Sequence, residues 1–375
     1  TMYDFVIVGA GFFGAVFAHE VKTAGKKVLV IEKRDHIGGN CYSYDDPETN
    51  INIHKYGPHI FHTSDKNIWD YICSFADFNN YRHRVLTASG GKIYSMPINL
   101  ATINQFYNLT LTPGEAKEFL KSKIPAIPAP ANLEEKAISI MGRELYEAFI
   151  KGYTIKQWNC DPRELPAEVI ARLPVRTSYD DIYYDDNYQG MPIGGYTPIF
   201  KKLLEGVSLE LKTDFFEKRD YWMSVARTLV YTGPIDRYFN YCYGKLRWRS
   251  VRFEIEKMPL DDYQGVSIMN YADQKVPYTR ILEPKHFYRE RINLSRGTVV
   301  MREYPCDDPA EPYYPVSLKT DQEILAKYQK AQSNEKNVIF GGRLAEYKYY
   351  DMYQVISRAL KQAEKLLRVS PPAGS

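Results

Sequence analysis

The sequence predicts an α/β protein that combines a parallel sheet, an inserted helical region and an antiparallel sheet. A strand–helix–strand pattern opens the chain, and helical periodicity runs from about Asp77 to Arg172. Between about Trp248 and Tyr304 the hydrophobic period changes to two, which is typical of antiparallel strands. A further buried strand near the end predicts that the chain returns to the first sheet.

The elements follow in order along the chain. YDFVIVG and KKVLVIEK read as buried parallel strands on either side of the amphipathic helix GAVFAHEVKTAG. The proline-rich connector IPAIPAPANLEEKAI leads into the helix NLEEKAISIMGRELYEAFIKGY. RWRSVRFEIEK, GVSIMNYAD and GTVVMREYP alternate as strands, and after them come the helix DQEILAKYQKAQ, the strand NVIFGGR and the helix DMYQVISRALKQAEKLLRV.

Composition excludes several classes of function. A chain of 375 residues is long enough for two or three domains, and its net charge of +3 with no run of like charges implies no nucleic-acid partner. Five scattered cysteines without a CxxC argue against a disulfide framework or a zinc site and fit a reducing cytoplasm. No apolar run approaches the roughly 18–20 residues that span a bilayer, so we expect no membrane segment.

The first strand leads directly into a phosphate-binding loop, Gly9-Ala10-Gly11-Phe12-Phe13-Gly14. Gly9 permits the tight turn, Gly11 lets the backbone approach a pyrophosphate, and Gly14 lets helix and strand pack closely. Glu32 ends the second strand, where an acid binds the ribose of an adenosine. The combination predicts a dinucleotide-binding domain.

A second glycine pair in RDHIGGN favours FAD over NAD, because a nicotinamide domain needs no such pair beside the ribose acid. In LVYTGPID another strand ends at a turn of the kind that often passes close to the adenine half of the dinucleotide. An ordinary Gly-Pro turn explains the same residues equally well. We therefore expect cofactor contacts at these residues: Gly9, Gly11, Phe12, Phe13, Gly14, Glu32, Lys33, Gly39, Asn40, Thr232 and Gly233. The Rossmann-like FAD-binding domain is then discontinuous and takes residues 1–76, 190–240 and 318–375; the helical domain takes 77–172, and the sheet domain takes 173–189 and 241–317.

Several stretches together resemble the prokaryotic-type UDP-galactopyranose mutases: HKYGPHIFHT, IKGYTIKQW, ELPAEVIARLPVR, YQGMPIGGYT, VPYTRI, EPYYPV and FGGRLAEYKYYDM. The resemblance implies an isomerase that interconverts UDP-galactopyranose and UDP-galactofuranose for cell-surface glycans, and a six-stranded antiparallel domain. It implies reduced FAD, FADH−, whose N5 forms a covalent adduct with galactose without net redox change. An external reductant such as NAD(P)H, a cytoplasmic location and a homodimer complete the expectation, and UDP-N-acetylgalactosamine stays open as a substrate.

The resemblance also places residues at the substrate. Arg172 and Arg280 match two diphosphate-binding arginines, with Arg176 as the competing choice for Arg172; a guanidinium suits a departing diphosphate. Trp158 matches a tryptophan of a mobile lid loop. Base and diphosphate contacts fall on Phe149, Tyr153, Thr154, Tyr183, Tyr314 and Tyr349, whereas Tyr184, Tyr313 and Tyr350 are one position away and core packing explains Phe149 equally well.

Two histidines and the last glycine pair complete the predicted site. His59 and His62 are three residues apart, yet no further ligands stand at metal spacing, so we expect no metal. The resemblance puts both near the flavin, where acid–base and steric roles stay open. Gly342, Arg343 and Met352 are placed at the flavin nucleotide, with the N-terminus of the last helix facing the flavin N1–C2=O edge; Asp351 either caps that helix or contacts substrate.

Two alternative functions account for only part of these sequence features. A flavin oxidase or dehydrogenase shares Glu32 and the loops but has no use for two diphosphate arginines. A non-catalytic nucleotide-sugar-binding protein keeps the aromatics but needs no flavin. Conversion of UDP-galactopyranose by the reduced flavoprotein separates the mutase from both.

Overall fold

The computed structural model describes residues 2–171 and 173–369. The strands are β1 (Tyr3–Val8), β2 (Val28–Ile31), β3 (Ser43–Asp45), β4 (Asn52–His54), β5 (Phe61–Thr63), β6 (Val85–Ser89), β7 (Lys92–Met96), β8 (Tyr188–Gly190), β9 (Ser208–Glu210), β10 (Ala226–Tyr231), β11 (Trp248–Met258), β12 (Ile268–Tyr271), β13 (Arg280–Leu282), β14 (Thr298–Cys306), β15 (Tyr314–Pro315) and β16 (Val338–Phe340). The α-helices are α1 (Phe12–Thr23), α2 (Lys66–Cys73), α3 (Leu100–Tyr107), α4 (Pro113–Lys123), α5 (Leu133–Met141), α6 (Arg143–Tyr146), α7 (Gly152–Trp158), α8 (Thr197–Leu203), α9 (Arg219–Val225), α10 (Ile235–Tyr238), α11 (Lys319–Gln332), α12 (Arg343–Glu346) and α13 (Met352–Val369).

The parallel sheet has the strand order β16-β10-β1-β2-β9. All its pairings are parallel, and β1 is the central strand, with Val6 and Ile7 fully buried as apolar residues between two helical layers. The prediction that the last strand returns to this sheet is confirmed, because β16 pairs with β10. The terminal helix α13 packs against α1 through a shared core that includes Phe17 and Ile356.

The second sheet has the order β15-β11-β14-β13-β12-β6-β7, which makes seven strands within residues 2–171 and 173–369 rather than the six that were expected. Its pairs are antiparallel except for β12 with β6. The hairpin β6–β7 lies in the segment predicted as helical, so residues 77–172 are not a wholly helical domain. Gly90 and Gly91 both have positive φ in its two-residue turn, a hairpin signal that the sequence carried.

The rest of the predicted helical region packs around its own apolar core, and the sequence-predicted long helix is interrupted at Gly142, where φ is +80°. From Arg143 to Trp158 the chain is continuous helix, with a π-helical turn at Glu147–Lys151 between α6 and α7. The Lys156 ammonium donates to the carbonyls of Tyr271 and Tyr278 at 2.7 and 2.9 Å. These bonds hold α7 against the second sheet, and burial lowers the pKa of Lys156 to about 8.

Residues 173–189, assigned to the sheet domain from sequence, do not join the second sheet. Their strand β8 pairs with β5 in a separate antiparallel ladder that sets His62 opposite Gln189. Because β5 is the end of the YGPHIFHT stretch, this ladder brings the loop 177–187 next to that stretch. No helix among the described residues is both long and apolar enough to cross a lipid bilayer.

A histidine bonded to a buried acid just after β13 makes fold stability depend on pH. The Glu283 carboxylate is fully buried, accepts bonds from two backbone N–H groups and the Thr298 hydroxyl, and lies 3.2 Å from His286 Nε2; Asp262 lies 3.1 Å from the same nitrogen. Burial opposes the charge of His286, but the bonds to Glu283 and Asp262 raise its pKa above 6.5.

We expect the stabilisation from this histidine to be complete below its ordinary pKa of 6.5 and to disappear as the pH rises through the raised value. His286→Gln should therefore lower the urea midpoint at acidic pH and leave it unchanged at alkaline pH. Urea unfolding of both proteins across this pH range measures the difference. A difference in midpoint that stays constant with pH would contradict the assignment.

Candidate active site

The N-terminal glycine loop lies between β1 and α1, as the sequence predicts. Gly9 has a φ of +108°, which favours glycine, and a Cβ there would overlap the Thr232 hydroxyl. A Cβ at Gly14 would overlap the Gly9 carbonyl oxygen. At Gly11, by contrast, a Cβ would meet only the Cα of Gly39, at 3.8 Å. The protein itself therefore does not require glycine at position 11, and the open surface there fits a ligand such as a pyrophosphate.

The predicted ribose acid lies beside this loop. Glu32 is buried, and its two carboxylate oxygens accept hydrogen bonds from the N–H groups of Ala10 and Arg34, each at 2.9 Å. The Arg34 guanidinium donates to the Asn40 side chain at 3.1 Å and stacks over Tyr56. Glu32 and Asn40, both predicted to contact the cofactor, are therefore linked through Arg34.

The other predicted cofactor residues divide into loop and scaffold positions. Thr232 donates its hydroxyl to the Val8 carbonyl at 2.6 Å, next to Gly233, and Lys33 is exposed, with its ammonium 3.1 Å from the Ala310 carbonyl. Phe12 and Phe13 are buried in the core below the loop, and a Cβ at Gly341 would overlap the Phe13 ring. Gly342, at φ +93°, and Met352 at the start of α13 border the same core.

Predicted substrate residues, Tyr153, Tyr183 and Tyr349, gather around Arg280 where this domain meets the second sheet, and we call this region the cleft. Its Nε donates to the Glu303 carboxylate at 2.8 Å, and Thr279 donates its hydroxyl to the other Glu303 oxygen at 2.9 Å. Arg280 and Glu303 face each other in the β13–β14 register. Because Glu303 engages Nε, it fixes the plane of the guanidinium and leaves the two terminal nitrogens for a ligand.

The pKa values of several groups in the cleft depend on burial and on their proximity to Arg280. Burial opposes the charge of Arg280, but Glu303 and Tyr153 outweigh it and raise its pKa, so the group is a permanent cation. Burial, followed by the Arg280 charge, lowers the pKa of His83 to about 3, and burial also raises the pKa of Tyr153 and of Tyr183. The hydroxyls of Tyr153 and Tyr183 and the imidazole of His83 are therefore neutral beside the Arg280 guanidinium, whose terminal nitrogens can bind an anionic ligand.

Aromatic side chains connect the end of α7 to the last glycine pair. Trp158 contacts the edge of Tyr314 at 5.2 Å, Tyr314 contacts Tyr349 at 5.5 Å, and the Arg343 guanidinium lies 4.8 Å from the Tyr349 ring centre. The Tyr314 hydroxyl donates to the Gln157 carbonyl at 2.8 Å. Four predicted residues from three parts of the chain thus form one wall of the cleft.

Neighbouring tyrosines that the sequence left as alternatives have different surroundings in the structure. Tyr350 donates its hydroxyl to Glu346 and lies beside Arg358, away from the cleft, whereas Tyr349 is 61% exposed and stacks with Arg343. Tyr313 contributes its carbonyl to Arg343 at 3.0 Å. Asp351 is exposed, and its N–H donates to the Gln354 side chain at 2.8 Å, one half of the predicted capping box.

Other predicted residues are placed differently. Phe149 is buried in the core of the helical region, edge-on to Tyr94 and beside Phe106, the packing alternative that the sequence left open. Thr154 is also buried. Arg172 lies outside the described residues. Its competitor Arg176 is bound to Asp180, Asp185 and the carbonyl of Ile182, so it holds the loop 177–187 in place.

His59 has most of its hydrogen-bonding capacity engaged by the fold. Its Nδ1 donates to the Gly57 carbonyl at 2.8 Å, its N–H donates to His54 Nδ1, and its carbonyl accepts from the Tyr196 hydroxyl at 2.7 Å. Burial is the largest influence on His59 and lowers its pKa to about 4, with further lowering by Arg343 and Arg280. The imidazole is therefore neutral near neutral pH, and its Nε2 can only accept.

His62 stacks on Tyr184 at 3.7 Å between ring centres and is paired with Asp186. Sequence reasoning missed Asp186 and Glu303, and it named Arg176 only as the competing choice for Arg172. Glu303 could not have been found, because the cross-strand register that pairs it with Arg280 is invisible in one sequence. A signal for Asp186 was present in the acidic stretch DDIYYDD, which follows the predicted lid.

A dinucleotide cradle beside a tyrosine-lined cleft that holds Arg280 and Arg343 is typical of an enzyme that binds a dinucleotide and a second ligand. A family model described as UDP-galactopyranose mutase matches residues 148–349, and one described as NAD(P)-binding Rossmann-like domain matches residues 7–75. A probable UDP-galactopyranose mutase of Klebsiella pneumoniae is 43% identical over 97% of this chain and 94% of its own length. The chain belongs to the UDP-galactopyranose mutase family and is an isomerase with a flavin-type Rossmann domain.

Two further relatives extend the comparison. The dTDP-fucopyranose mutase of Escherichia coli is 39% identical over 98% of this chain and 99% of its own length. A crystal structure of a reduced UDP-galactopyranose mutase superimposes with a TM-score of 0.74 at 15% identity, covering 99% of this chain and 95% of the other. The structural likeness confirms the predicted fold class.

Proposed function

We propose that this chain interconverts UDP-galactopyranose and UDP-galactofuranose, using FAD that must be reduced. The observation that carries the proposal is Arg280, a permanent cation oriented by Glu303 among Tyr153, Tyr183 and Tyr349. Such a cation suits the charge that develops on a departing diphosphate. The family membership supplies the substrate class, and the wall from Trp158 to Arg343 supplies aromatic surface for base and sugar.

The residues of this chain have distinct roles in the proposal. Arg280, with Arg172 as its predicted partner, holds the diphosphate when the bond to the anomeric carbon breaks and when it reforms. Tyr183 and Tyr349 donate hydroxyl hydrogen bonds to the diphosphate, and Asp351 adjoins the sugar. Tyr314 remains the third predicted diphosphate contact, but its hydroxyl must first give up the bond that it donates to the Gln157 carbonyl. Tyr153 and Thr154 remain the predicted base contacts, with Trp158 covering the sugar; the base-stacking role of Phe149 stays a prediction beside its observed packing.

The cradle fits FAD by its own geometry. Gly11 and Gly39 bring two loops side by side. We assign Glu32 and Asn40, which are linked through Arg34, to the adenosine ribose, and Gly342 and Arg343 to the flavin part of the nucleotide. Bound reduced FAD supplies a nucleophilic N5 for covalent catalysis at the anomeric carbon. The N-terminus of α13 at Met352 provides a positive dipole end that favours an anionic flavin.

A chromatographic assay tests the proposal. FAD-loaded protein is incubated with UDP-galactopyranose, with and without dithionite, and pyranose and furanose nucleotides are separated. We expect conversion in the reduced sample and little in the oxidised one. Steady oxygen consumption without conversion would instead indicate a flavin oxidase, and binding without any conversion would indicate a nucleotide-sugar-binding protein.

A second candidate substrate is dTDP-fucopyranose, because the E. coli relative that carries this name matches along almost the whole of both chains. The same assay with dTDP-fucopyranose and with UDP-N-acetylgalactosamine ranks the substrates by kcat/KM. A higher value for dTDP-fucopyranose would replace the proposed sugar while keeping the reaction class. On the family resemblance alone we also propose NAD(P)H as reductant and a homodimer in the cytoplasm.

A further inference from the structure

Asp186 and His62 form a hydrogen-bonded pair in the cleft. The distance from His62 Nδ1 to Asp186 Oδ2 is 2.6 Å, and the side chains are 11% and 22% exposed. The other Asp186 oxygen accepts from the Ser64 hydroxyl at 3.1 Å. Both carboxylate oxygens are therefore held, and the carboxylate has one orientation toward the imidazole.

This pair decides which imidazole nitrogen carries the proton. A carboxylate only accepts, so a bond from Nδ1 to Asp186 requires the hydrogen on Nδ1. In the neutral ring Nε2 is then an acceptor. Among the described residues no protein group hydrogen-bonds to His62 Nε2, although its neighbour His83 has a partner at Tyr81.

The surroundings fix the ring as well as its tautomer. Tyr184 stacks on one face at 3.7 Å and Tyr353 meets the ring at 66°. The backbone of His62 is paired with Gln189 in the β5–β8 ladder, and the Gln189 side chain donates to the Tyr184 carbonyl at 3.4 Å. Strand pairing and ring stacking thus hold His62 in place, and Asp186 determines which imidazole nitrogen carries the hydrogen.

The ring also lies close to the predicted substrate contacts. Tyr184, on which His62 stacks, meets Tyr183 edge-on at 4.8 Å. Burial is the main cause that raises the pKa of Tyr184, and Tyr183, Asp351, Tyr349 and Arg280 also act on it electrostatically. The unpartnered nitrogen of His62 therefore belongs to the same cleft as the groups that we assign to diphosphate and sugar.

We infer that Asp186 is a positioning residue that holds His62 in the Nδ1–H tautomer, so that Nε2 accepts a hydrogen bond from a hydroxyl of the bound hexose. This inference rests on the proposed function for the identity of the sugar. The tautomer itself is a property of the protein without substrate.

The first test reads the tautomer directly. The FAD-loaded protein is labelled with 15N-histidine, and His62→Gln assigns the His62 signal among the seven histidines. We expect a protonated Nδ1 and an unprotonated Nε2, with the Nε2 shift moving when UDP-galactose is added and staying still with UDP. A protonated Nε2 in the neutral wild-type ring would overturn the inference without any variant of Asp186.

The second test changes the carboxylate. In Asp186→Asn the amide can either donate to or accept from Nδ1, so the tautomer is no longer fixed. Because the hydrogen bond to the sugar is then made by only part of the molecules, we expect kcat/KM to fall by about tenfold. Asp185→Asn is the matched control, because Asp185 is 85% exposed and pairs with Arg176 at 3.5 Å rather than with His62. It should keep the wild-type kcat/KM and tautomer.

The outcomes separate the two proposals. Asp186→Asn with the wild-type tautomer and wild-type kcat/KM would overturn the positioning role. If Asp186→Asn loses FAD or secondary structure, the 15N spectrum of the wild type decides instead. If the wild type makes no furanose at all, the proposed function fails. The tautomer of His62 is still tested by the 15N measurement, because that measurement does not depend on turnover.

Discussion

Arg280→Lys is expected to lower kcat by roughly a hundredfold or more while FAD stays bound, comparable to removing one preorganised donor from a charge-stabilising site. Lysine keeps the positive charge but lacks the Nε–H that Glu303 engages at 2.8 Å and the two terminal nitrogens that this bond orients. Turnover is measured by the separation of pyranose and furanose nucleotides, and bound FAD by its absorbance.

Arg302→Lys provides the matched control. Arg302 is one residue before Glu303 on β14 and pairs with Glu256 across β11, on the opposite face of the same sheet. We expect its kcat to match the wild type, because its charge does not reach the cleft. A near-normal kcat in Arg280→Lys would remove the oriented guanidinium from the mechanism.

Gly11→Ala is expected to fold like the wild type yet bind FAD at least about tenfold more weakly, a loss of about 1.4 kcal/mol of binding free energy or more. The backbone at Gly11 has a φ of −78°, which alanine adopts, and the added Cβ meets only a carbon atom at 3.8 Å. The methyl group would instead occupy the surface where a pyrophosphate approaches the loop. Circular dichroism reports the fold, and FAD titration of the apoprotein reports the affinity.

Substitutions at two other glycines serve as controls for this experiment. A Cβ added to Gly114 on α4 would have no atom within 4 Å, and the φ there is not positive, so Gly114→Ala should change neither fold nor FAD affinity. Gly14→Ala should lose soluble, folded protein, because its Cβ overlaps the Gly9 carbonyl. Wild-type FAD affinity in Gly11→Ala would show that the cofactor does not approach this position.

The sequence was informative where the signal is local. The glycine loop and Glu32 lie within one strand–helix–strand unit, so their spacing alone predicts how they meet. The hairpin β6–β7 was equally local, with Gly90 and Gly91 between two alternating runs, yet the helical periodicity around it led to a wrong assignment.

The partners of the site residues could not be predicted, because tertiary structure alone brings them together. Asp186 is 124 residues from His62, and Glu303 reaches Arg280 only through the register of β13 with β14. Burial also decides chemistry that residue type leaves open: His59 and His62 look alike in sequence, but burial lowers the pKa of His59 to about 4 and a carboxylate binds His62. The roles of both in catalysis stay predictions.

The parallel sheet takes its strands from the beginning, middle and end of the chain. During synthesis the phosphate loop emerges well before β16, which pairs with β10 in the same sheet. Phe13 stays uncovered until Gly341 leaves the ribosome, and α1 lacks its packing partner until α13 follows. A nascent chain therefore carries the phosphate loop long before it has the strand and the helix that surround this loop in the folded protein.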